Sequence, residues 1–240
     1  MEGKLRAEVD REPRVEQHNA APMPPKDHGD PENNVLSKLW IDVGAHNGEK
    51  TLKYAQENPA LIVYAFEPNF EVAARLIGLL PNFVMIPAAV AEQDGCSDFY
   101  INTFRAASSL FPFNSERLQI WTGGEQLTIE RKVSVPTIRL DTFMDLMGIS
   151  HVDYLKIDAQ GADFSVVKSA GTRLPDIRKI TLEVAVTASQ LYVGASTKDE
   201  IVKFMEKSGF VLVDTEAQSY DQEENLTFIR VDRALSGSGL

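Results

Sequence analysis

The sequence predicts an α/β fold in which a parallel β-sheet is covered by helices on both faces. Two observations lead to this prediction: short, continuously apolar segments recur along the chain, and segments with helical periodicity separate them. The size agrees, because 240 residues, 43% of them hydrophobic and 25% charged, are enough to bury a sizeable core. We therefore predict one α/β domain over residues 35–233.

Strands and helices alternate through this domain. The predicted strands are, in chain order, residues 38–43, 61–66, 83–87, 151–157, 177–184, 210–214 and 226–231. The predicted helices are residues 48–57, 69–80, 162–172 and 197–207. Asn69 is a typical N-cap residue for the second helix, and Thr197 with Glu200 has the spacing of a capping box.

The long segment between the third and fourth of these strands breaks the alternation. Residues 97–103 and 129–135 within it have the composition of two further strands, which predicts a β-hairpin and loop insertion. The stretch between them, residues 104–128, is polar and aromatic. Because structureless loops of this length are uncommon inside a domain unless they are functional or disordered, we expect this loop to border the functional site.

The two ends of the chain differ from the domain in composition. Residues 1–34 contain five of the 12 prolines and no aromatic residue, which predicts a disordered N-terminal tail. Residues 234–240 end in Ser-Gly-Ser-Gly-Leu and predict a flexible C-terminal end.

Charge and composition exclude several classes of partner. The net charge of −11 disfavours a nucleic-acid partner, because phosphate binding requires a basic face. The sequence contains no stretch of about 18 apolar residues, so it predicts no membrane-spanning helix. The first residues lack the apolar core of a secretory signal. The single cysteine, Cys96, allows no internal disulfide and fits a reducing compartment. We expect a cytoplasmic protein with no membrane insertion, and its oligomeric state stays open.

Two features at the ends of the first two strands predict the cofactor. The segment Ile41-Asp-Val-Gly-Ala-His-Asn-Gly48 leads from a strand towards a helix with a GxxxG spacing, unlike the GxGxxG of dinucleotide-binding folds or a P-loop. Glu67 ends the second strand, where a carboxylate can accept both hydroxyls of an unphosphorylated ribose. The glycines alone would fit an ordinary strand-to-helix turn. Together with Asp42 and Glu67 they predict S-adenosylmethionine.

The chain resembles the FkbM-type class I methyltransferases over about residues 38–231. The resemblance rests on the order and spacing of residues 41–48, 64–69, 88–90, 94–95, 108–110, 135–142, 153–158 and 161–162. It implies a Rossmann-like, mostly parallel, seven-stranded sheet with an antiparallel last strand. It also implies S-adenosylmethionine as methyl donor and a hydroxyl acceptor on a sugar, another glycan or a small natural product.

The predicted site lies at the carboxyl edge of the sheet, where open α/β sheets bind ligands. The residues predicted to bind the cofactor are Asp42, Gly44, Ala45, Asn47, Gly48, Glu67, Pro68, Ala89, Val90, Ser109 and Asp158. The predicted catalytic residues are Asp158, Lys156 and His46.

Asp158 is the leading catalytic candidate because it ends the fourth predicted strand, where the methyl group should lie. It could accept the proton of an acceptor hydroxyl, or hold a Mg²⁺ ion, although we do not expect a metal. Its structural alternative is the N-cap of the helix that follows. Lys156 shares its face of the strand, and His46 could equally be an ordinary loop side chain. Glu183, an acid within an apolar strand, is expected near the same edge.

Two departures from the family pattern bear on function. After the fourth strand the family usually has KIDVEGAE, whereas this chain has Gln160 and Asp163 at the last two acidic positions. A non-catalytic S-adenosylmethionine-binding module is therefore one alternative. An N-methyltransferase of a small molecule is another, but the Asn/Asp-Pro-Pro-Tyr/Phe segment typical of such enzymes is replaced by Asp158-Ala-Gln-Gly161.

Overall fold

The computed structural model describes residues 38–187 and 190–231. Within these ranges strands and helices alternate as the sequence predicts. The predicted N-terminal tail, residues 1–34, and the predicted C-terminal end, residues 234–240, lie outside the described residues.

The described chain forms ten strands and six α-helices. The strands are β1 (Leu39–Val43), β2 (Ile62–Phe66), β3 (Phe83–Ile86), β4 (Ala89–Val90), β5 (Gly95–Asn102), β6 (Ile129–Ile138), β7 (Tyr154–Ile157), β8 (Lys179–Ala185), β9 (Phe210–Gln218) and β10 (Glu223–Arg230). The helices are α1 (Leu52–Glu57), α2 (Phe70–Ala73), α3 (Ser115–Leu118), α4 (Leu140–Leu146), α5 (Asp163–Ser169) and α6 (Lys198–Lys207).

The main sheet has seven strands in the order β3-β2-β1-β7-β8-β10-β9. Strands β3, β2, β1, β7 and β8 pair in parallel, and β10 runs antiparallel to both of its neighbours. The predicted seven-stranded, mostly parallel sheet with an antiparallel last strand is confirmed. Because the strand order reverses between β1 and β7, the carboxyl ends of these two strands border a crevice of the kind in which such sheets bind ligands.

A second, three-stranded sheet holds the insertion between β3 and β7. Strand β6 lies in its centre, parallel to β4 and antiparallel to β5. The predicted hairpin is therefore present, with longer strands than the sequence indicates. The short strand β4, at residues predicted to border the cofactor, ties this hairpin to the end of β3.

Side-chain alternation along the central strands divides the core and positions the site. On one face, Leu155 and Ile157 of β7 belong to the larger apolar cluster, which also contains buried side chains of α4, α5 and α6. On the other face, Trp40 of β1 and Tyr154 of β7 belong to a smaller cluster with Ala55 of α1. Since successive side chains alternate, the polar residues that end these strands continue the face of the smaller cluster.

The first two helices are shorter than predicted. The first predicted helix, residues 48–57, begins only at Leu52, after Gly48 with a φ of +73°. The second, residues 69–80, is helical only over Phe70–Ala73, although Asn69 caps it as predicted. The apolar pattern behind that longer helix includes Leu79, which is 53% exposed and so contributes no core packing. The capping box of Thr197 and Glu200 at the start of α6 is confirmed.

Helix α4 was not predicted from the sequence. Its residues Leu140, Phe143 and Met144 are buried in the larger cluster at helical spacing. The helix follows β6 without a loop, because only Arg139 separates Ile138 from Leu140. Because no turn residues mark this boundary, the apolar pattern of the helix could not be separated from that of the preceding strand in the sequence.

Candidate active site

The turn that follows β1 is fixed by backbone hydrogen bonds to the end of β2. The N–H groups of Gly44 and Ala45 both donate to the carbonyl of Phe66, at 3.0 and 2.9 Å. Gly44 has a φ of +74°, and a Cβ atom there would lie 1.9 Å from the backbone oxygen of Asp158. The residue must therefore be glycine for the turn to pack against the end of β7.

Glu67 lies buried beside this turn. Its Oε2 atom accepts a hydrogen bond from the backbone N–H of His46 at 3.0 Å, and its Oε1 atom accepts one from that of Asn69 at 2.7 Å. Burial raises the pKa of Glu67, and the two N–H donors oppose that shift. Nδ2 of Asn69, two residues further along the chain, is buried without a hydrogen-bond partner. The segment after β2 thus carries a fixed carboxylate and a buried donor that lacks a partner.

A buried ion pair joins β1 to β7 beneath the crevice. Nζ of Lys156 donates to Oδ1 of Asp42 at 2.8 Å and to the carbonyl of Gly44 at 3.2 Å. Thr51 donates to the other Asp42 oxygen at 2.5 Å. Burial acts to lower the pKa of Lys156, but the charges of Asp42 and Asp158 outweigh it, so the pKa is raised and the side chain is a cation. The pair fixes the β1 turn against the sheet.

Asp158, at the end of β7, is held between two ammonium groups. Nζ of Lys50 lies 3.2 Å from its Oδ2 atom, and Nζ of Lys156 lies 3.8 Å from the same oxygen. Burial acts to raise the pKa of Asp158, but the two lysines outweigh it and hold the pKa well below the usual range. Asp158 is therefore a stable anion with little affinity for a proton. The N-cap of α5 is Ala162, so Asp158 is not the cap of that helix.

Gln160 connects Asp158 to the next strand. Its Nε2 atom donates to Oδ1 of Asp158 at 2.9 Å and to Oε2 of Glu183 at 3.1 Å. Its Oε1 atom accepts from the hydroxyl of Tyr192 at 2.8 Å. The Tyr192 side chain packs on Gly161, where a Cβ atom would lie 2.7 Å from the Tyr192 Cβ atom and 2.8 Å from the ring. The amide that replaces a family carboxylate thus bridges two carboxyl groups that would otherwise face each other.

Asp163, the second departure from the family pattern, ties this turn to β8. Its carboxylate accepts hydrogen bonds from the backbone N–H groups of Ala159, Gly161 and Glu183 at 3.2–3.4 Å. Its side chain is almost completely buried, and burial raises its pKa to about 7, with the charge of Asp158 adding to the shift. Because its acceptor atoms are used by the backbone, the role of Asp163 is structural.

Two further carboxyl groups line a cavity beside this network. Glu183 of β8 and Glu223 of β10 border about 350 Å³ of empty space, part of it open to solvent, together with Tyr192. Burial raises the pKa of Glu183 well above its ordinary value, and the charges of Glu223 and Asp158 add to this shift. Burial also raises the pKa of Glu223 to about 7. The cavity therefore carries two carboxyl groups whose pKa values both lie above the ordinary value.

Comparison with known protein families shows which family the chain belongs to. The family model described as "Methyltransferase FkbM domain" matches residues 42–212, well over half of the chain. This chain belongs to the FkbM methyltransferase family. The match begins within β1 and extends into β9, so it contains Glu67, Asp158 and Glu183. The resemblance seen in the sequence is confirmed.

Individual relatives of this FkbM methyltransferase domain are distant. The "2-O-methyltransferase NoeI" of Sinorhizobium fredii (strain NBRC 101917 / NGR234) is 24% identical over 160 residues, which span 64% of this chain and 65% of that protein. The chain thus spans less than two thirds of the length of this curated relative. The structure of Methyltransferase FkbM from Methylobacillus flagellatus KT is 11% identical, covering 80% of this chain and 43% of that one, with a TM-score of 0.46. TrmK of M. capricolum with S-adenosylhomocysteine is 11% identical, covering 81% and 62%, with a TM-score of 0.45.

Most residues predicted for the site of this family member meet at the carboxyl ends of β1, β2 and β7. His46 contributes its backbone N–H to Glu67, while its ring lies 3.5 Å from Glu49. Burial acts to lower the pKa of His46, but Glu49, with smaller contributions from Glu67 and Asp158, outweighs it and the pKa is raised. The Asn47 side chain also turns towards Glu49, at 3.1 Å. Neither side chain bonds to Glu67 or Asp158.

The remaining predicted cofactor residues surround this group. Gly48 donates to the carbonyl of Ala45 at 2.7 Å and closes the turn, and Pro68 is half-buried after Glu67. Ala89 and Val90 are buried in β4, each within an apolar cluster. The hydroxyl of Ser109 donates to the carbonyl of Gln160 at 2.7 Å and accepts from the N–H of Phe111. Ser109 therefore fastens the long loop to the β7–α5 turn.

Sequence analysis missed Lys50, Tyr192 and Glu223. Lys50 follows the GxxxG segment by two residues, and this closeness could have identified it as a site residue from the sequence. Tyr192 and Glu223 reach the site from a loop after β8 and from the start of β10, and no sequence spacing marks them. Among the described residues, no group of three or more His, Cys, Asp or Glu side chains is arranged to hold a metal ion. No helix in the described ranges is long and apolar enough to cross a bilayer.

Proposed function

We propose that this protein is an S-adenosylmethionine-dependent methyltransferase that methylates a hydroxyl group of a sugar, another glycan or a small natural product. The observation that carries the proposal is the meeting of Glu67, the Gly44 turn and Asp158 around one crevice at the switch point of the sheet. Membership of the FkbM methyltransferase family supports the reaction class. The name of the relative, a 2-O-methyltransferase, supports oxygen as the methylated atom.

The residues at the end of β2 fit the nucleoside of this cofactor. Glu67 offers carboxylate oxygens that can accept ribose hydroxyls, and Nδ2 of Asn69 is a buried donor that lacks a partner. When bound, S-adenosylmethionine supplies a methyl group on a positively charged sulfur. The permanent anion of Asp158 gives that charge a favourable environment, and the Asp42–Lys156 pair keeps the turn that binds the amino-acid end in place.

The carboxyl groups of the cavity next to the turn after β7 favour an acceptor without negative charge. Glu183 and Glu223 border it, so an anionic acceptor would be repelled whenever either carboxyl group is ionised. The carboxyl groups, the Tyr192 hydroxyl and the amide of Gln190 offer hydrogen-bonding groups of the kind that hydroxylated ligands use.

Cofactor binding tests the proposal directly. In titration calorimetry we expect S-adenosylmethionine and S-adenosylhomocysteine to bind, and NAD and ATP not to bind. Glu67→Ala should weaken S-adenosylhomocysteine binding about 5- to 150-fold, corresponding to the roughly 1–3 kcal/mol of hydrogen bonds to a charged group. Glu71→Ala is the matched control, because Glu71 lies four residues away, is exposed and forms an ion pair with Arg131.

Glu67→Ala also removes acceptors from two backbone N–H groups, so its unfolding midpoint must be measured alongside. Unchanged affinity in a folded Glu67→Ala protein would refute the role of Glu67. Failure of the wild-type protein to bind either adenosyl compound would refute the proposed cofactor. Transfer of a labelled methyl group to an oxygen of methyl hexopyranosides then tests the acceptor class.

A further inference from the structure

Methylation of a hydroxyl group requires a place for its proton. The acceptor oxygen forms a bond to the methyl carbon, the carbon–sulfur bond breaks with its electrons staying on sulfur, and the O–H proton must leave. A positioned base that accepts such a proton typically contributes about 10²–10⁴-fold to the rate. This inference rests on the proposed function and asks which group of the chain accepts the proton.

Asp158 is poorly suited to accept it, although it lies closest to the expected reaction. Its Oδ2 atom is bound by Lys50 and its Oδ1 atom by Gln160. Protonation would cost the ion pairs with Lys50 and Lys156, which is why the pKa of Asp158 lies so low. A base of this kind gives little driving force for proton transfer.

Glu183 of β8 and Glu223 of β10 form a pair of carboxyl groups on the two strands that follow β7 in the sheet. Glu183 pairs with Asn225 and Ala185 pairs with Glu223 in the antiparallel β8–β10 ladder, so the two glutamates are diagonal neighbours on one face of the sheet. Both border one cavity, whose lining also includes Gly161 and Asp163 from the turn and helix after β7. The amide of Gln160 bridges Glu183 to Asp158, which places the pair next to the predicted position of the methyl group.

We propose that the carboxyl pair of Glu183 and Glu223 accepts the proton of the acceptor hydroxyl, and that Asp158 stays ionised as a fixed charge. The proton is taken up by the pair during transfer and is released to solvent after the methylated product leaves. In this assignment Gln160 is a positioning residue, because it orients Glu183 and touches neither the acceptor nor the methyl group.

The surroundings of the pair support this assignment. The charged and titratable groups that act on Glu183 come from several elements: Asp158 after β7, Asp163 on α5, Glu223 on β10, Lys50 before α1 and Tyr192 after β8. Three of these are acids, and only Lys50 favours the ionised form of Glu183. Burial and these acids keep the pKa of Glu183 well above its ordinary value, and that of Glu223 is about 7. Because the two carboxyl groups are neighbours, they titrate as a coupled pair rather than as two independent groups.

The first test requires no acceptor. In the complex with S-adenosylhomocysteine, ¹³C-carboxyl NMR of labelled glutamate should show a group that titrates near pH 7. That titration should disappear in Glu223→Gln and shift in Glu183→Gln. If every glutamate of the folded wild-type complex titrates below about pH 5.5, the proposal is overturned.

The second test uses the pH dependence of methyl transfer to methyl hexopyranosides. With the carboxyl pair as base, kcat should fall below about pH 7, whereas Asp158 as base would give a flat profile between pH 5 and 8. Glu183→Gln and Glu223→Gln should each lower kcat at least about 10-fold with little change in S-adenosylmethionine affinity, and the double variant should be little slower than the slower single variant.

Glu224→Gln is the matched control for this series. Glu224 neighbours Glu223 in β10, points to the opposite face and pairs with Lys198, so its replacement should leave kcat and the pH profile unchanged. A flat wild-type profile, or full activity in both folded Gln variants, would overturn the inference while leaving the methyltransferase proposal intact. If the wild-type protein binds the cofactor but methylates no hexopyranoside, the proposed acceptor class fails, and the NMR titration still decides the inference.

Discussion

The buried ion pair between Asp42 and Lys156 allows a demanding test of how the site is held together. Lys156→Met keeps a similar side-chain length and removes the ammonium group that bonds to Asp42 at 2.8 Å. The side chains of Lys156 and Asp42 are only 7% and 1% exposed, so water cannot replace the lost charge. Asp42 would retain Thr51 as a donor, and its charge would stay buried without a cation.

The expected loss of stability follows from that burial. Removal of one partner of a buried ion pair typically costs about 3–5 kcal/mol, because the remaining charge is not compensated. For a domain of this size, about 1 kcal/mol lowers the unfolding midpoint by roughly 2–4 °C, so Lys156→Met should lower it by about 6–20 °C. Adding Asp42→Asn to Lys156→Met removes the uncompensated charge and should restore much of the loss.

The assay is thermal and urea unfolding of the variants, with Lys132→Met as the matched control. Lys132 bonds to Asp98 at the same 2.8 Å, but these side chains are 53% and 54% exposed, and the control midpoint should hardly change. If Lys156→Met unfolds within about 2 °C of the wild type, or if adding Asp42→Asn worsens the loss, the buried pair does not act as described.

Two further predictions concern the turn after β1 and the acidic cavity. Gly44→Ala should destabilise the protein by at least about 2 kcal/mol in urea unfolding, because its Cβ would lie 1.9 Å from the Asp158 oxygen. Gly78→Ala, at the similar φ of +78° with nothing within 4 Å, should cost only about 1 kcal/mol, and equal losses would refute the packing argument. Glu223 has a folded pKa of about 7, above its ordinary value, so the folded state binds its proton more tightly, and this contribution is lost as pH rises through 7. Glu223→Gln should therefore gain stability relative to the wild type at pH 8 but not at pH 4, and the opposite order in urea unfolding would contradict the raised pKa.

The sequence contained enough to predict the alternation of elements and the nature of the sheet. Continuous apolar segments such as residues 61–66 can be buried only between two helical layers, and the predicted reversed last strand follows the family pattern. The position of Glu67 after such a segment also placed it at the carboxyl edge of the sheet. These features depend on residues near one another in the chain, which is why local patterns revealed them.

The lengths and boundaries of the helices were harder to predict from the sequence. A stripe of apolar residues over 69–80 predicted a long helix, but the chain leaves the helical conformation after Ala73. In the opposite direction, α4 was overlooked because no turn separates it from β6. In neither region do turn residues in the sequence mark the boundary that the structure has.

The sequence by itself determined the fold class, the family and the set of polar residues at the ends of β1, β2 and β7. Only the tertiary structure decided the charge and the proton affinity of these residues. It placed Lys50 and Lys156 on Asp158, which makes that residue a fixed anion, and it brought Glu223 beside Glu183 from 40 positions further along the chain. The physical reason is that proton affinity depends on burial and on neighbouring charges. Those neighbours come from strands that are distant in sequence and adjacent only in the folded sheet.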